Sequence, residues 1–256
     1  MTALLLTLVA CGPKNGPNAA GQTLPEVAPE DYPSFEQLMA AHEAAVGDGA
    51  MGGTWYMKQS ILAPKQGLGG QVELWVDGEQ VYTRAVIDGM GETLQGYDGE
   101  IAWEIDPNQG PKILEGEEAG PLRFLAYSTA PLGEQYPQAQ VVGVRWFPDA
   151  DSGEAAWAVE AVPATYSEPT TLYFAVDDGV MLGSRGKVPT TMGKLRQTSV
   201  LSDWEEIGGV SMPRVMETTM LSLTMVATTL EFQPDPQDMP DFAPPASVQA
   251  LLEPAE

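Results

Sequence analysis

The feature that most restricts the fold is a two-residue alternation of apolar and polar side chains between Thr54 and Phe232. Segments of about six to ten residues follow this alternation and are separated by turn signals, a pattern typical of hairpin-linked strands. Asp-Gly pairs, a strong hairpin signal, mark three of the turns: Asp77-Gly78, Asp98-Gly99 and Asp178-Gly179. The sequence therefore predicts a mainly β (α+β) fold, with about eleven strands in one antiparallel sheet that must curl or close.

Two segments depart from this alternation and predict helices. Ser34 and Gln37 form a capping box before an apolar pattern of helical spacing, and Gly47 ends it, which predicts an N-terminal helix. Within residues 115–130, three glutamates precede an apolar stretch, and acidic residues favour a helix N-terminus. We therefore expect one or two short helices inserted in the sheet. No internal boundary is evident, so one domain is predicted over 34–243, with a tail over 244–256.

The N-terminal residues resemble those of a bacterial lipoprotein. Residues 1–10 are mostly apolar and end directly before Cys11, and Leu8-Val9-Ala10-Cys11 resembles a lipobox, where the Cys is acylated after cleavage. The sequence thus predicts a signal peptide over 1–10, lipidation at Cys11 and a flexible tether over 11–33. Since no basic residue precedes the apolar run, the true start is expected upstream of Met1. In the Gram-negative lipoproteins that this segment resembles, an acidic residue directly after the Cys favours retention in the inner membrane. Gly12 occupies that position, so the resemblance implies the outer membrane.

The charge of the chain excludes one class of partner. Twelve Lys and Arg against 36 Asp and Glu give a formal charge of −24. Nucleic-acid binding needs clustered basic residues, so no nucleic-acid partner is expected. The same net charge predicts repulsion from an anionic lipid surface.

The sequence offers little for catalysis or metal binding. The single Cys and the single His, His42, lie far apart, so neither a nucleophile with its base nor a zinc site is expected. His42 is predicted to be a packing or surface residue of the N-terminal helix. Residues 149–153 begin like a calcium loop, with Glu160 at the twelfth position, but the glycine comes one residue early. We predict no enzyme activity, no metal and no cofactor.

Two sequence blocks resemble a known family. Residues 96–103 read GYDGEIAW, followed by Asp106-Pro107 and Gly110, and residues 202–213 read SDWEEIGGVSMP. Both blocks, in this order, are similar to those of bacterial outer-membrane lipoprotein-sorting proteins, the LolA/LolB-like superfamily. The resemblance implies a strongly curved antiparallel sheet that forms a half-open β-barrel, with a helical lid over its mouth and an apolar cavity for acyl chains. The soluble carriers of this superfamily lack an anchor, so Cys11 makes the chain more similar to the membrane-bound acceptor type.

Under this resemblance, apolar side chains of the strands and the inserted helix are candidates for a cavity lining. They are Trp55, Met57, Leu74, Trp103, Phe124 and Trp204. The predicted function is that of a monomeric lipoprotein of the Gram-negative outer membrane, facing the periplasm, that binds acyl chains or acylated lipoproteins in lipoprotein sorting or lipid transport. The alternative is an envelope lipoprotein with a filled core, no lipid ligand and an acidic exterior that contacts partners.

Overall fold

The computed structural model describes residues 23–47, 53–149, 153–165, 167–190 and 193–252. The strands are β1 Thr54–Ala63, β2 Leu68–Asp77, β3 Gln80–Ile87, β4 Gly91–Tyr97, β5 Ala102–Asp106, β6 Gly110–Leu114, β7 Gln138–Pro148, β8 Gly153–Val162, β9 Thr170–Ala175, β10 Met181–Thr190, β11 Gly193–Ile207, β12 Val210–Met220 and β13 Leu223–Pro234. The helices are α1 Phe35–Val46, α2 Gly120–Ala126, α3 Leu132–Gln135 and α4 Ala246–Gln249, with 3-10 turns at Pro29–Asp31 and Tyr127–Thr129. None of these helices is both long and apolar enough to cross a membrane.

All thirteen strands belong to one open antiparallel sheet. Its order is β6-β5-β4-β3-β2-β1-β13-β12-β11-β10-β9-β8-β7. The sheet therefore consists of two meanders, β1 to β6 and β7 to β13, which are joined where β1 pairs with β13. The edge strands β6 and β7 are consecutive in sequence but lie at opposite edges, so the helical insertion between them must pass from one edge to the other.

The sheet has more strands than the sequence predicts. Strand β6 was not among the predicted segments, because it has five residues and contains Pro111, which sequence patterns count against a strand. Proline is tolerated there because β6 lies at an edge, where one side of the strand pairs with no neighbour.

The sheet curls around α2. This helix contacts β3 and β4 of the first meander and also β10 of the second. Strands β3 and β10 are six strand spacings apart in the sheet order, which would be about 29 Å in a flat sheet. A helix is only about 10 Å wide. The sheet must therefore bend strongly for both regions to reach α2, as the predicted half-open barrel requires.

The helical insertion differs from the predicted lid. Leu122 and Ala126 of α2 are buried in the same apolar cluster as Trp55 of β1, so α2 forms part of the core. The preceding glutamates do not cap the helix, whose N-cap is Ala119 and whose first turn contains no acidic residue. Instead, Glu117 forms an ion pair with Lys194 of β11.

The predicted N-terminal helix is confirmed as α1. Ser34 and Gln37 form the complete capping box, and Gly47 ends the helix at a φ of +97°. The first half of α1 packs on β9 through Phe35 and Phe174, whose ring centroids are 6.3 Å apart. At its C-terminal end, the hydroxyl of Ser211 on β12 donates to the carbonyl of Val46. Helix α1 thus spans from β9 to β12.

Candidate functional site

One row of side chains across the first meander faces α2 and is almost wholly apolar. Residues that are directly opposite each other in an antiparallel sheet share a face. The row consists of Trp55, Val76, Val81, Tyr97, Ala102 and Leu114 on β1 to β6. All six belong to or pack against the apolar cluster that contains α2. We call the face that carries this row the inner face.

The next row on the inner face changes from apolar to polar. Phe232, Met57 and Leu74 on β13, β1 and β2 are followed by Thr83, Gln95, Glu104 and Lys112 on β3 to β6. Glu104 accepts from the Gln95 amide at 2.5 Å and forms an ion pair with Lys112 at 2.9 Å. We call the last four residues the polar band. It lies directly beside the apolar row.

The inner face is only partly covered. Helix α2 has seven residues and is therefore about 10 Å long, whereas the ten residues of β1 extend over about 33 Å. The side chains of Met57, Leu74 and Ile207 pack against the inner cluster but are only partly buried. The inner face thus retains accessible apolar surface beside the polar band.

Two hydrogen-bond donors on the inner face have no partner among the described residues. They are the indole N–H of Trp55, a residue only 1% exposed, and the hydroxyl of Thr83, and both polar atoms are buried. An unpaired buried donor costs about 1–3 kcal/mol, so a carbonyl oxygen brought to these atoms would bind favourably.

The structure brings together some of the predicted cavity residues and separates others. Trp55, Met57 and Leu74 are neighbours on the inner face. Phe124 lies on α2 but faces the second meander, with its ring centroid 5.5 Å from that of Tyr136. Trp204 contacts α1, with its ring centroid 4.8 Å from that of His42.

Trp103 lies on the opposite, outer face. It closes a cross-strand row that contains Tyr56, Trp75, Tyr82 and Gly96. Successive rings of this row lie 5.1 to 5.8 Å apart between centroids. Trp103 itself is fully buried, as is Val248 of α4, a helix that contacts β6. Trp103 is therefore not placed with the inner-face residues.

His42 is a packing residue that also bonds to the backbone. Its Nδ1 accepts a hydrogen bond from the Met181 amide at 3.2 Å, and its ring packs between Trp204 and Phe174. Burial lowers the pKa of His42 below its usual value of 6.5, because the charged imidazolium loses hydration. The neutral imidazole of His42 therefore links α1 to Met181, the first residue of β10, by a hydrogen bond.

This arrangement predicts a loss of stability in mild acid. The unfolded chain has the higher His42 pKa, so it binds more protons as pH falls below 6.5, and folding weakens towards the lowered pKa of the native state. Protonation also removes the lone pair that accepts from Met181. In urea unfolding, we expect the free-energy gap between the wild type and His42→Gln to narrow between pH 7.5 and pH 5. A gap that does not change with pH would contradict this prediction.

Two open clefts lie on the side of strands β7 to β9, away from Trp55, Met57 and Leu74 of the first meander. They have volumes of about 570 and 760 Å³, and Tyr32 and Pro33 line both of them. The first is bounded by residues 139–142 of the edge strand β7, and the second by Trp157 and the β9–β10 turn. None of the six predicted cavity residues lines either cleft.

The remaining sequence predictions concern the termini and the acidic residues. Cys11 and residues 1–10 lie outside the described residues, as do residues 150–152 of the calcium-like loop. Within the described ranges, no three His, Cys, Asp or Glu side chains form a cluster suited to a metal ion. At the other end of the chain, Phe242 and Val248 are buried, so packing continues into the predicted tail.

Comparison with known proteins identifies the fold. No family model and no curated protein matches the sequence. A LolA superfamily protein from Nitrosomonas europaea is similar in structure, with a TM-score of 0.54 and 12% identity over 83% of this chain and 99% of that one. A DUF1329 family protein from Desulfovibrio piger has a TM-score of 0.51 and 12% identity over 79% of this chain and 92% of that one. The resemblance seen in the two sequence blocks is thus confirmed at the level of the fold.

Proposed function

We propose that this chain, which has the fold of the LolA superfamily, is a non-catalytic envelope lipoprotein that binds acyl chains on the inner face of its sheet. The observation that carries this proposal is the partly covered apolar surface around Met57 and Leu74 beside α2. An acyl chain placed there would gain about 0.8 kcal/mol for each CH₂ removed from water.

The polar band gives the bound lipid a direction. Acyl lipids join apolar chains to a polar group through ester or amide carbonyls. The unpaired donors of Trp55 and Thr83 suit such a carbonyl, since each lacks an acceptor in the described structure. Glu104 and Lys112 lie further along the same row and suit the polar group beyond it. We therefore place the chains over Met57 and Leu74, beside the buried Trp55, and the polar group towards β6.

The proposal includes the predicted anchor. Acylation of Cys11 would hold the domain at the outer membrane, with the tether over 11–33 allowing it to move. The cargo is then a lipid or the acyl chains of another lipoprotein, and the protein acts as a monomer in the periplasm. Phe124 on α2 and Trp204 on β11 would extend the apolar lining towards the second meander and α1.

The test uses the full chain with Cys11→Ser, so that its own acyl chains are absent, produced in the periplasm. We expect native mass spectrometry with lipid extraction to find a co-purified lipid at fixed stoichiometry. Leu74→Trp should fill the accessible inner surface and lower lipid occupancy at least about tenfold. The matched control is Leu230→Trp, at a half-exposed position on β13, which should retain the lipid. A bare protein mass without uptake of added fatty acid would contradict the proposal.

A second candidate function is favoured by the position of the clefts. Both lie beside the N-terminal segment and strands β7 to β9, away from the apolar row of the first meander. This suits an envelope lipoprotein with a filled core that contacts other proteins and binds no lipid. In that case Leu74→Trp would change only stability.

A further inference from the structure

The two ends of the sheet differ sharply in charge and polarity. At one end, four hairpins carry two acidic residues each, in the turn or in the last three residues of the strand before it, and no Lys or Arg there. These pairs are Asp77 and Glu79, Asp98 and Glu100, Asp177 and Asp178, and Glu205 and Glu206. We call this end the acidic rim. It gathers eight of the chain's 36 acidic residues in or beside four turns.

The opposite end exposes apolar side chains. We call the turns β1–β2, β3–β4 and β12–β13, together with the adjoining ends of β10 and β11, the apolar rim; they are neighbours because β2 pairs with β3, β1 with β13, and β11 with β12. Leu221 of the β12–β13 turn is 72% exposed, Met90 of the β3–β4 turn 56%, and Leu62 at the end of β1 50%. Asp88 is the one acidic residue among the described turn residues of this rim.

Unpaired positive charge accompanies these apolar residues. Lys187 and Arg196 are directly opposite each other on β10 and β11, three residues from the turn that joins these strands. Like charges in this position repel each other. Both are exposed, and neither forms an ion pair with any described residue; the same is true of Lys65 in the β1–β2 turn. In a chain of charge −24, these bases differ from the four that form ion pairs among the described residues, Arg84, Lys112, Lys194 and Arg214.

We propose that the apolar rim docks on the surface of an anionic phospholipid bilayer. Leu221, Met90 and Leu62 enter the interface, while Lys187, Arg196 and Lys65 contact lipid phosphates. The proposal goes beyond the lipid-binding function and does not depend on it, because it concerns the outer ends of the strands. It also fixes an orientation, with the acidic rim and α1 pointing away from the membrane.

The net charge does not prevent this contact. The eleven residues of β12 separate the two rims by about 36 Å. At about 0.15 M salt, charges are screened beyond about 8 Å, so a bilayer that meets the apolar rim is shielded from the acidic rim. The repulsion between the net negative charge and an anionic bilayer is therefore significant only when the screening length approaches the distance between the two rims.

The test is co-sedimentation of the full chain, with Cys11→Ser, with vesicles of phosphatidylcholine containing about 30% phosphatidylglycerol. We expect binding at about 0.15 M salt and weaker binding at about 0.01 M. At the lower salt concentration the screening length is about 30 Å, so the acidic rim repels the anionic bilayer. Substituting both Lys187→Gln and Arg196→Gln should weaken binding about 25-fold, or about fivefold for each base. The charge control is Arg214→Gln, an exposed base on β12 near the acidic rim, which should bind like the parent.

A single label reports the orientation. With Cys11 replaced, Leu221→Cys creates the sole thiol for an environment-sensitive fluorophore, and Leu230→Cys is the matched control at a half-exposed leucine away from the rim. Vesicles should shift the emission of the first label to shorter wavelength and leave the second unchanged. Absence of binding by the parent, or an equal shift of both labels, overturns the proposal. So does a shift at Leu221→Cys that follows protein concentration without vesicles, which would indicate contact between two copies of the chain.

Discussion

Replacing Gly183 with alanine should destabilise the protein by about 3–5 kcal/mol. Gly183 has a φ of +147°, and the pairing register of β9 and β10 shifts between Met181 and Gly183. A Cβ at this position would overlap the carbonyl oxygen of Ser199 and lie 2.9 Å from Cζ of Phe147. Neither the β11 backbone nor the fully packed Phe147 ring can move away easily, so both strain and steric overlap are expected.

The measurement is urea unfolding followed by circular dichroism. Gly133→Ala in α3 is the matched control, because a Cβ there meets no atom within 4 Å and the backbone has no positive φ. The control should change stability by less than about 1 kcal/mol, and in the stabilising direction, since alanine favours a helix. If Gly183→Ala were as stable as this control, the irregular pairing of β9 and β10 described above would be wrong.

Much of the architecture could be predicted from local signals. The Asp-Gly pairs predicted the hairpin turns at Asp77, Asp98 and Asp178, and the capping box predicted α1. Both kinds of signal depend on only a few neighbouring residues. Strand β6 could not be predicted, because a proline-containing strand is tolerated only at the sheet edge and no local sequence pattern indicates that position. The role of α2 was also missed, because an apolar helix in a lid and one in a core have similar sequences.

The candidate site was harder to predict for a related reason. Alternation along a strand separates its two faces, but it identifies the inner face only when the other face is polar. Both Ala102 and Trp103 are buried, so the pattern on β5 does not tell which of them faces α2. Cross-strand register decides this, since Ala102 is opposite Tyr97 and Trp103 is opposite Gly96.

The outer aromatic row predicts a strong coupling between Trp103 and Gly96. The Trp103 indole lies on Gly96, where an added Cβ would be 2.5 Å from its Cε2 atom. Trp103→Ala should cost about 3–5 kcal/mol, because a fully buried indole is lost. Gly96→Ala should cost about 2 kcal/mol in the wild type through overpacking, and almost nothing once Trp103 is alanine.

A double-mutant cycle of urea unfolding free energies measures this coupling, which we expect to be about 2 kcal/mol. Backbone strain does not add to the cost of Gly96→Ala, because Gly96 has no positive φ and alanine can adopt its backbone conformation. Zero coupling would mean that Trp103 does not lie over Gly96. The row through Tyr82 and Trp75 would then not define the outer face, and Trp103 would be a candidate for the inner face again. The cycle therefore tests, through stability alone, which face of the sheet is available to a lipid.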